Sequence, residues 1–193
     1  VRAAGRTLTF RSGGTSLSGQ GVSGDILVDT RSHFRGIRVE DEGRLVRVEP
    51  GATVRQVNPR LARHGRKLGP DPASEIACTI GGVIANNSSG MACGVTENSY
   101  QTVDSLLLVL PSGTVVDTAA PDALEHLRDA EPALVDGLAA LRQRLLGAPE
   151  SAAFVRAQFA MKNTMGYGLN ALLDFDDPVK ILEHLVIGSE GTL

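Results

Sequence analysis

The sequence has no tryptophan and only two tyrosines and five phenylalanines, so its core must be built from leucine, valine, isoleucine and alanine. Its two cysteines, Cys78 and Cys93, lie 15 positions apart with no CxxC, which excludes a disulfide scaffold. The four histidines, His33, His64, His126 and His184, lack ligand spacing, so no metal site is expected. Basic clusters are missing too: 19 Lys plus Arg against 22 Asp plus Glu give a net charge of −3, which argues against nucleic acid as a partner. The longest apolar run, residues 106–110, falls far short of the roughly 20 residues that cross a bilayer, and no signal-peptide core opens the chain. A cytoplasmic location is expected.

What is present is a soluble globular composition: 193 residues, 42% hydrophobic and 21% charged, with a mean hydropathy of zero. A chain of this length buries roughly 70% of the surface its unfolded form exposes, enough for a core without staples. It has no initiator methionine and stops just after a glycine-rich turn, GSEGTL at 188–193. We expect an excised segment of a longer polypeptide.

Fifteen of the 22 glycines fall in the first 100 residues, so the first half reads as loop-rich, and loops carry function. Strands are expected at 7–10 and 25–29, on either side of the loop RSGGTSLSGQG, and at 45–48, where LVRV alternates apolar with basic. Thr53 caps an expected helix reaching His64, with Val54, Val57 and Leu61 on one face, Gly65 as its stop and Pro59 kinking it or ending it early. A proline-rich loop, 67–77, precedes an apolar stretch at 80–85 that reads as a helix N-terminus. Residues 103–110 and 114–117 flank Pro111-Ser112-Gly113 as a hairpin. A helix over 121–146, broken near Pro132, a helix over 178–185 and a short strand at 185–187 complete the reading. Strands and helices mix without regular βαβ alternation, so the class is α+β.

Consecutive glycines after a strand let backbone N–H groups converge on an anion, with Thr15, Ser16 and Ser18 as further donors, so the loop 11–19 suits a phosphate or pyrophosphate. A tight turn requiring positive φ is the alternative. No Gly-Lys-Ser/Thr occurs, which excludes a P-loop, and GQGVSG at 19–24 matches GxGxxG in form but precedes a strand. The segment TIGGVIANNSSG at 79–90 offers either more unpaired N–H groups at a helix start or a Gly-Gly packing contact followed by an Asn/Ser turn. With the glycine turn at 188–191, three such loops point to one extended ligand held along its length.

RSGGTSLSGQ (11–20), PDPAS (70–74), TIGGVIANNSSG (79–90), LPSGTVVDT (110–118), NTMGYGLNALLD (163–174) and IGSEGTL (187–193) occur in the order found in the FAD-binding domain of the vanillyl-alcohol oxidase and p-cresol methylhydroxylase (PCMH) superfamily. The resemblance covers nearly the whole chain and implies a PCMH-type FAD-binding domain of two α+β subdomains over 1–193. The start of that domain, a substrate cap and an iron-sulfur domain would lie outside it. Within the superfamily the sequence most resembles FAD-linked D-lactate and D-2-hydroxyglutarate dehydrogenases, and ACGVTENSYQT (92–102) is similar to the subgroup fused to an iron-sulfur domain.

The resemblance implies that Ser12, Gly13, Gly14, Thr15, Ser16 and Leu17 wrap the FAD pyrophosphate. It further implies that Pro70, Asp71 and Ser74 line the flavin side, that Thr79, Gly81, Gly82, Asn86, Asn87 and Gly90 hold the ribityl and diphosphate region, and that Ile187 packs on the cofactor. Many relatives attach FAD through a histidine where Thr15 stands, so FAD is expected without a covalent bond. A departure falls at Cys93-Gly94, where most relatives have Tyr-Gly and a shorter run to the next strand. Cys93 is read as a packed or partly exposed thiol.

The implied reaction oxidises a D-2-hydroxy acid to the 2-oxo acid, its Cα hydrogen leaving as hydride to flavin N5, with electrons passing to an iron-sulfur domain or a quinone; the acceptor would give a peripheral membrane association. Alternatives are an oxidase of another alcohol or amine and a non-catalytic nucleotide-binding module. No catalytic base is assigned here: the histidines read as surface or capping residues, and the substrate ligands would lie outside the segment, leaving it inactive alone. Glu190 reads as an adenosine contact or a turn-stabilising carboxylate, and Asp174, Asp176 and Asp177 as helix caps rather than metal ligands. Lys162 and Tyr167 flank a turn that the resemblance places near the flavin.

Overall fold

The computed structural model describes residues 2–192 and divides the chain into two compact units, Val1–Ser99 and Tyr100–Leu193. Helices and strands are both present and segregate as an α+β chain should.

In the first unit, β1 (Leu8–Arg11) pairs in parallel with β2 (Ile26–Asp29), Leu8 opposite Ile26 and Arg11 opposite Asp29. Parallel neighbours need a crossover of a dozen or more residues, and here the crossover is the glycine loop itself. β3 (Ile37–Glu40) pairs antiparallel with β4 (Leu45–Val48) across a tight turn in which Asp41, Glu42 and Gly43 all have positive φ. The expected 45–48 strand is therefore present with a partner, IRVE, that the sequence reading omitted.

α1 (Val54–Ala62) begins with a complete capping box: the Thr53 hydroxyl accepts from Gln56 N–H at 3.2 Å and Gln56 Oε1 accepts from Thr53 N–H at 3.0 Å. Val54, Val57 and Leu61 are buried, as their spacing predicts. Pro59 does not end the helix, which runs three residues beyond it and stops before the expected His64. Proline's fixed φ is helical and it forfeits one hydrogen bond, which the buried face of α1 outweighs. α2 (Ile80–Asn86) is capped by Thr79 and closes on Asn87 in the left-handed conformation, φ 48°. The unit's apolar cluster is small: Val54, Cys78 and Val83, with Leu68 and Ile80 against it.

α3 (Ser99–Thr102) spans the boundary between the units. In the second unit, β5 (Leu107–Val109) and β6 (Val115–Asp117) form the expected hairpin, with a first strand shorter than predicted. The break at Pro132 separates α4 (Ala123–Ala130) from α5 (Pro132–Leu146), which takes proline at its first position. α6 (Pro149–Phe159) and α7 (Ala171–Asp174) were not foreseen. α8 (Pro178–Leu185) matches its predicted bounds, and Asp177 caps it by accepting from Val179 N–H at 2.9 Å. Leu127, Leu138, Val116, Ile181 and Leu182 are at the centre of a larger core.

The strand expected at 185–187 does not form. Val186 closes α8 by donating to Leu182 and His184 carbonyls, and Ile187 donates to the His184 carbonyl. Both side chains are buried, so tertiary packing overrides their β propensity. His184 also departs from a surface role: it is buried, its ring 4.9 Å from that of Tyr100 and 4.2 Å from that of Phe175.

Candidate cofactor site

The first loop leaves β1 and packs its backbone onto the segment before α2. A β-carbon at Gly13 would lie 2.5 Å from the Ala77 carbonyl oxygen and 3.1 Å from Cys78 Cα, so only glycine permits this approach. One at Gly82, in the first turn of α2, would lie 3.0 Å from the Ser12 hydroxyl. Ser12 and Gly13 are thus brought beside Cys78, Thr79 and Gly82, the juxtaposition that one extended ligand requires.

The turn reading holds at two glycines, and the donors that the anion reading requires are present beside them. Gly14 and Gly19 have φ of 65° and 79°, which serves the turn. Among the described residues, the amides of Gly13, Gly14, Thr15, Ser16 and Leu17 donate to no other group, which leaves a row of unpaired N–H donors. Leu17 is fully exposed, and the Ser16 hydroxyl bonds to Gln20. Sequence reasoning passed over Arg11. Its guanidinium lies against Gly14 and donates to the Gly21 carbonyl at 3.2 Å, which sets a positive charge beside the amide row. The signal was available as an arginine at the strand's end directly before the glycines.

The expectation of unpaired N–H groups at the start of α2 is not met. Ile80 donates to the Ala52 carbonyl at 2.8 Å, Gly81 to the Pro50 carbonyl at 2.9 Å, and Gly82 to the Thr79 hydroxyl at 3.4 Å. Residues 50–55 run alongside 75–81 and consume these donors, and a β-carbon at Gly81 would lie 2.7 Å from Pro50 Cβ. Gly81 is therefore the packing contact that was the alternative reading.

Asp71 turns its carboxylate onto its own chain. Its Oδ1 accepts from Gly90 N–H at 3.0 Å and Cys93 N–H at 3.1 Å, and its Oδ2 from Ala92 N–H at 3.0 Å. Desolvation is the largest single influence on this carboxyl and raises its pKa, but the three amides and the Cys93 thiol together outweigh it and bring the pKa down to about 2. Gly90 has no room for a side chain, since a β-carbon there would lie 1.9 Å from the Asp71 carbonyl oxygen. Cys93 is buried, as a packed thiol should be.

Pro70 is buried, Ser74 accepts backbone bonds from Ala77 and Cys78 at 2.8 Å, and the Asn86 side chain accepts from Ser88. Asn87 supplies the left-handed cap. Ile187 is in the second unit, 1% exposed, and Glu190 has φ 55° in the closing turn. Tyr167 pairs with Thr192 there, and Leu193 lies outside the described residues. A separate cleft of about 320 Å³, lined by Asp29, Arg31, Ser32, Arg35, Gly51, Thr53 and Gln56, shares no residue with these loops. Among the described residues no group of three or more His, Cys, Asp or Glu is placed to hold a metal, and no helix is long and apolar enough to cross a membrane.

A strand, a glycine crossover with unpaired amides and a capped helix pressed against it give the first unit the donor array of an anion-binding loop. The chain belongs to the FAD binding domain family, which matches residues 1–119, and the cofactor is FAD. It is similar to D-2-hydroxyglutarate dehydrogenase of Haemophilus influenzae, 28% identical over 97% of this chain and 19% of that protein. It is 32% identical to the protein of the same name from Pantoea ananatis, over 96% of this chain and 18% of the relative. Glycolate oxidase subunit GlcD of Escherichia coli is 37% identical over 53% of this chain and 22% of its own length. The chain thus spans under a fifth of the two hydroxyglutarate relatives. No solved structure gives a significant match.

Proposed function

We propose that this chain is the FAD-binding part of an oxidoreductase that oxidises a D-2-hydroxy acid, of the D-lactate or D-2-hydroxyglutarate type, to the 2-oxo acid. The observation that carries the reading is the row of unpaired amides from Gly13 to Leu17 with Arg11 beside it, held by glycine contacts against the segment leading into α2. In this reading the amides and Arg11 take the pyrophosphate, whose charge an array of N–H dipoles and one guanidinium complements. Ser12 and Gly82 border the same ligand, while Thr79, fully buried, caps α2 behind them. With Thr15 in the loop, FAD is bound without a covalent link, through hydrogen bonds and burial.

FAD, when bound, supplies the redox chemistry by accepting two electrons and one proton, together a hydride, from the substrate. This chain's residues bind and orient it. Relatives named for hydroxyglutarate and glycolate support a 2-hydroxy acid substrate, and an iron-sulfur domain or a quinone completes the reaction as electron acceptor. The test is anaerobic titration of the intact FAD-loaded protein with D-lactate, D-2-hydroxyglutarate and glycolate. Bleaching of the 450 nm region (about that wavelength for oxidised flavin) by one of them is expected, and bleaching only by an unrelated alcohol or amine overturns the substrate class.

A further inference from the structure

Asp71 precedes α2 and Gly90–Cys93 follow it, so one carboxylate ties together the two chain segments that flank this helix, across 19 to 22 positions of sequence. α2 has only seven residues and buries only Val83 within itself. A helix so short is not self-supporting, and its place depends on what holds its ends. The N-terminal end is fixed by bonds to Pro50 and Ala52. The C-terminal end leaves through Asn87 in a left-handed turn and reaches Gly90, whose missing side chain is what allows Asp71 to approach. The turn 90–93 belongs to no helix or strand, so the carboxylate satisfies amides that no ladder satisfies. Met91 at its tip is fully exposed while Cys93 is 1% exposed, so the turn is held from its inner side.

We propose that Asp71 is a positioning residue and not a cofactor ligand: its carboxylate staples the segments on both sides of α2 and thereby holds Gly82 against the first loop, so that FAD affinity depends on a side chain that FAD does not touch. Its short contacts go to its own chain, three backbone amides and the Cys93 thiol. The proposal rests on the FAD-binding reading above and reassigns one residue within it.

The experiment is amide hydrogen exchange and FAD titration of the intact protein as wild type, Asp71→Asn and Asp71→Ala. In the wild type the amides of Gly90, Ala92 and Cys93 are expected to be protected although they belong to a turn. Asp71→Ala is expected to release all three amides, and Asp71→Asn, whose NH2 cannot accept, to release Ala92 and weaken the two that its remaining oxygen can still accept. Both are expected to raise the FAD dissociation constant, by about tenfold or more in Asp71→Ala, the equivalent of about one charge-assisted hydrogen bond. The visible bands of the bound flavin keep their positions. Asp71→Asn preserves shape and keeps the test open where Asp71→Ala fails to fold, and the wild-type exchange pattern requires no variant. Free exchange of the three amides in the wild type overturns the proposal, as does wild-type FAD affinity in a variant whose turn has been released. A shift of the flavin bands in Asp71→Asn also overturns it, because the carboxylate would then contact the cofactor. A wild-type protein that takes up no FAD overturns the functional reading instead, and the exchange pattern still decides the staple.

Discussion

Replacing Gly13 by alanine tests the geometry of the first loop. The added β-carbon would stand 2.5 Å from the Ala77 carbonyl oxygen and 3.1 Å from Cys78 Cα, both backbone atoms that cannot rotate away. Restoring an ordinary contact of about 3.5 Å requires the loop and the 77–78 segment to part by about 1 Å. Forced overpacking of this kind costs about 1–3 kcal/mol. If it falls on the geometry that aligns the amides of 13–17, FAD affinity drops by about 5- to 150-fold. Gly24→Ala is the control, since a β-carbon there meets nothing within 4 Å and its φ is not positive. Fluorescence titration of FAD, paired with the melting temperature of each apoprotein, reads both effects. FAD affinity in Gly13→Ala within twofold of the Gly24→Ala control (about 0.4 kcal/mol) would refute the reasoning.

Arg11→Ala should weaken FAD by about tenfold, with a salt dependence shallower than the wild type's, because a guanidinium beside the amide row no longer meets the pyrophosphate; an unchanged salt profile counts against it. Thr53→Ala removes the hydroxyl that accepts from Gln56 N–H, leaves the bond from Thr53 N–H to Gln56 Oε1 in place, and should cost about 1 kcal/mol in urea unfolding, with Thr53→Ser close to wild type; equal midpoints for all three would contradict the cap. Glu183 is fully buried and is bonded by the Thr118 hydroxyl and by Lys180 at 2.9 Å. Since Lys180 is 38% exposed, Glu183→Ala should cost about 1–3 kcal/mol rather than the larger penalty of a stranded buried charge, again read from the urea midpoint. Burial, the largest influence, depresses the pKa of His184, and the unfolded chain therefore binds its proton first. Stability from this residue is complete above the unfolded value of about 6.5 and falls as pH drops below it. His184→Phe should flatten that decline between pH 7 and 5 (an interval centred near the unfolded histidine pKa), and an identical slope would exclude the histidine as its cause.

Local signals were legible where one element carried its own instructions. Thr53 with Gln56, Asp177 before Pro178, and Pro132 as a break each act within a turn of the residues they affect, and the structure follows them. β3 was missed because IRVE is too short and too charged to announce itself and exists through its register with β4. Val186 and Ile187 read as strand because their β-branched side chains favour one, while the core around α8 decides otherwise. At the candidate site, glycine density pointed to loops that the structure packs together, but the partners of those glycines did not follow from it. That Gly81 faces Pro50, that the α2 amides are already bonded, and that Asp71 turns inward onto 90–93 depend on contacts separated by up to 31 positions, which no local pattern encodes.

The most direct test of the central claim is the visible absorption spectrum of the purified protein, supplied with FAD if colourless, followed by the spectrum of the supernatant after heat denaturation. The account predicts two flavin bands on the folded protein that pass entirely into the supernatant. A protein that remains colourless with excess FAD, or a pellet that keeps the colour, would contradict it.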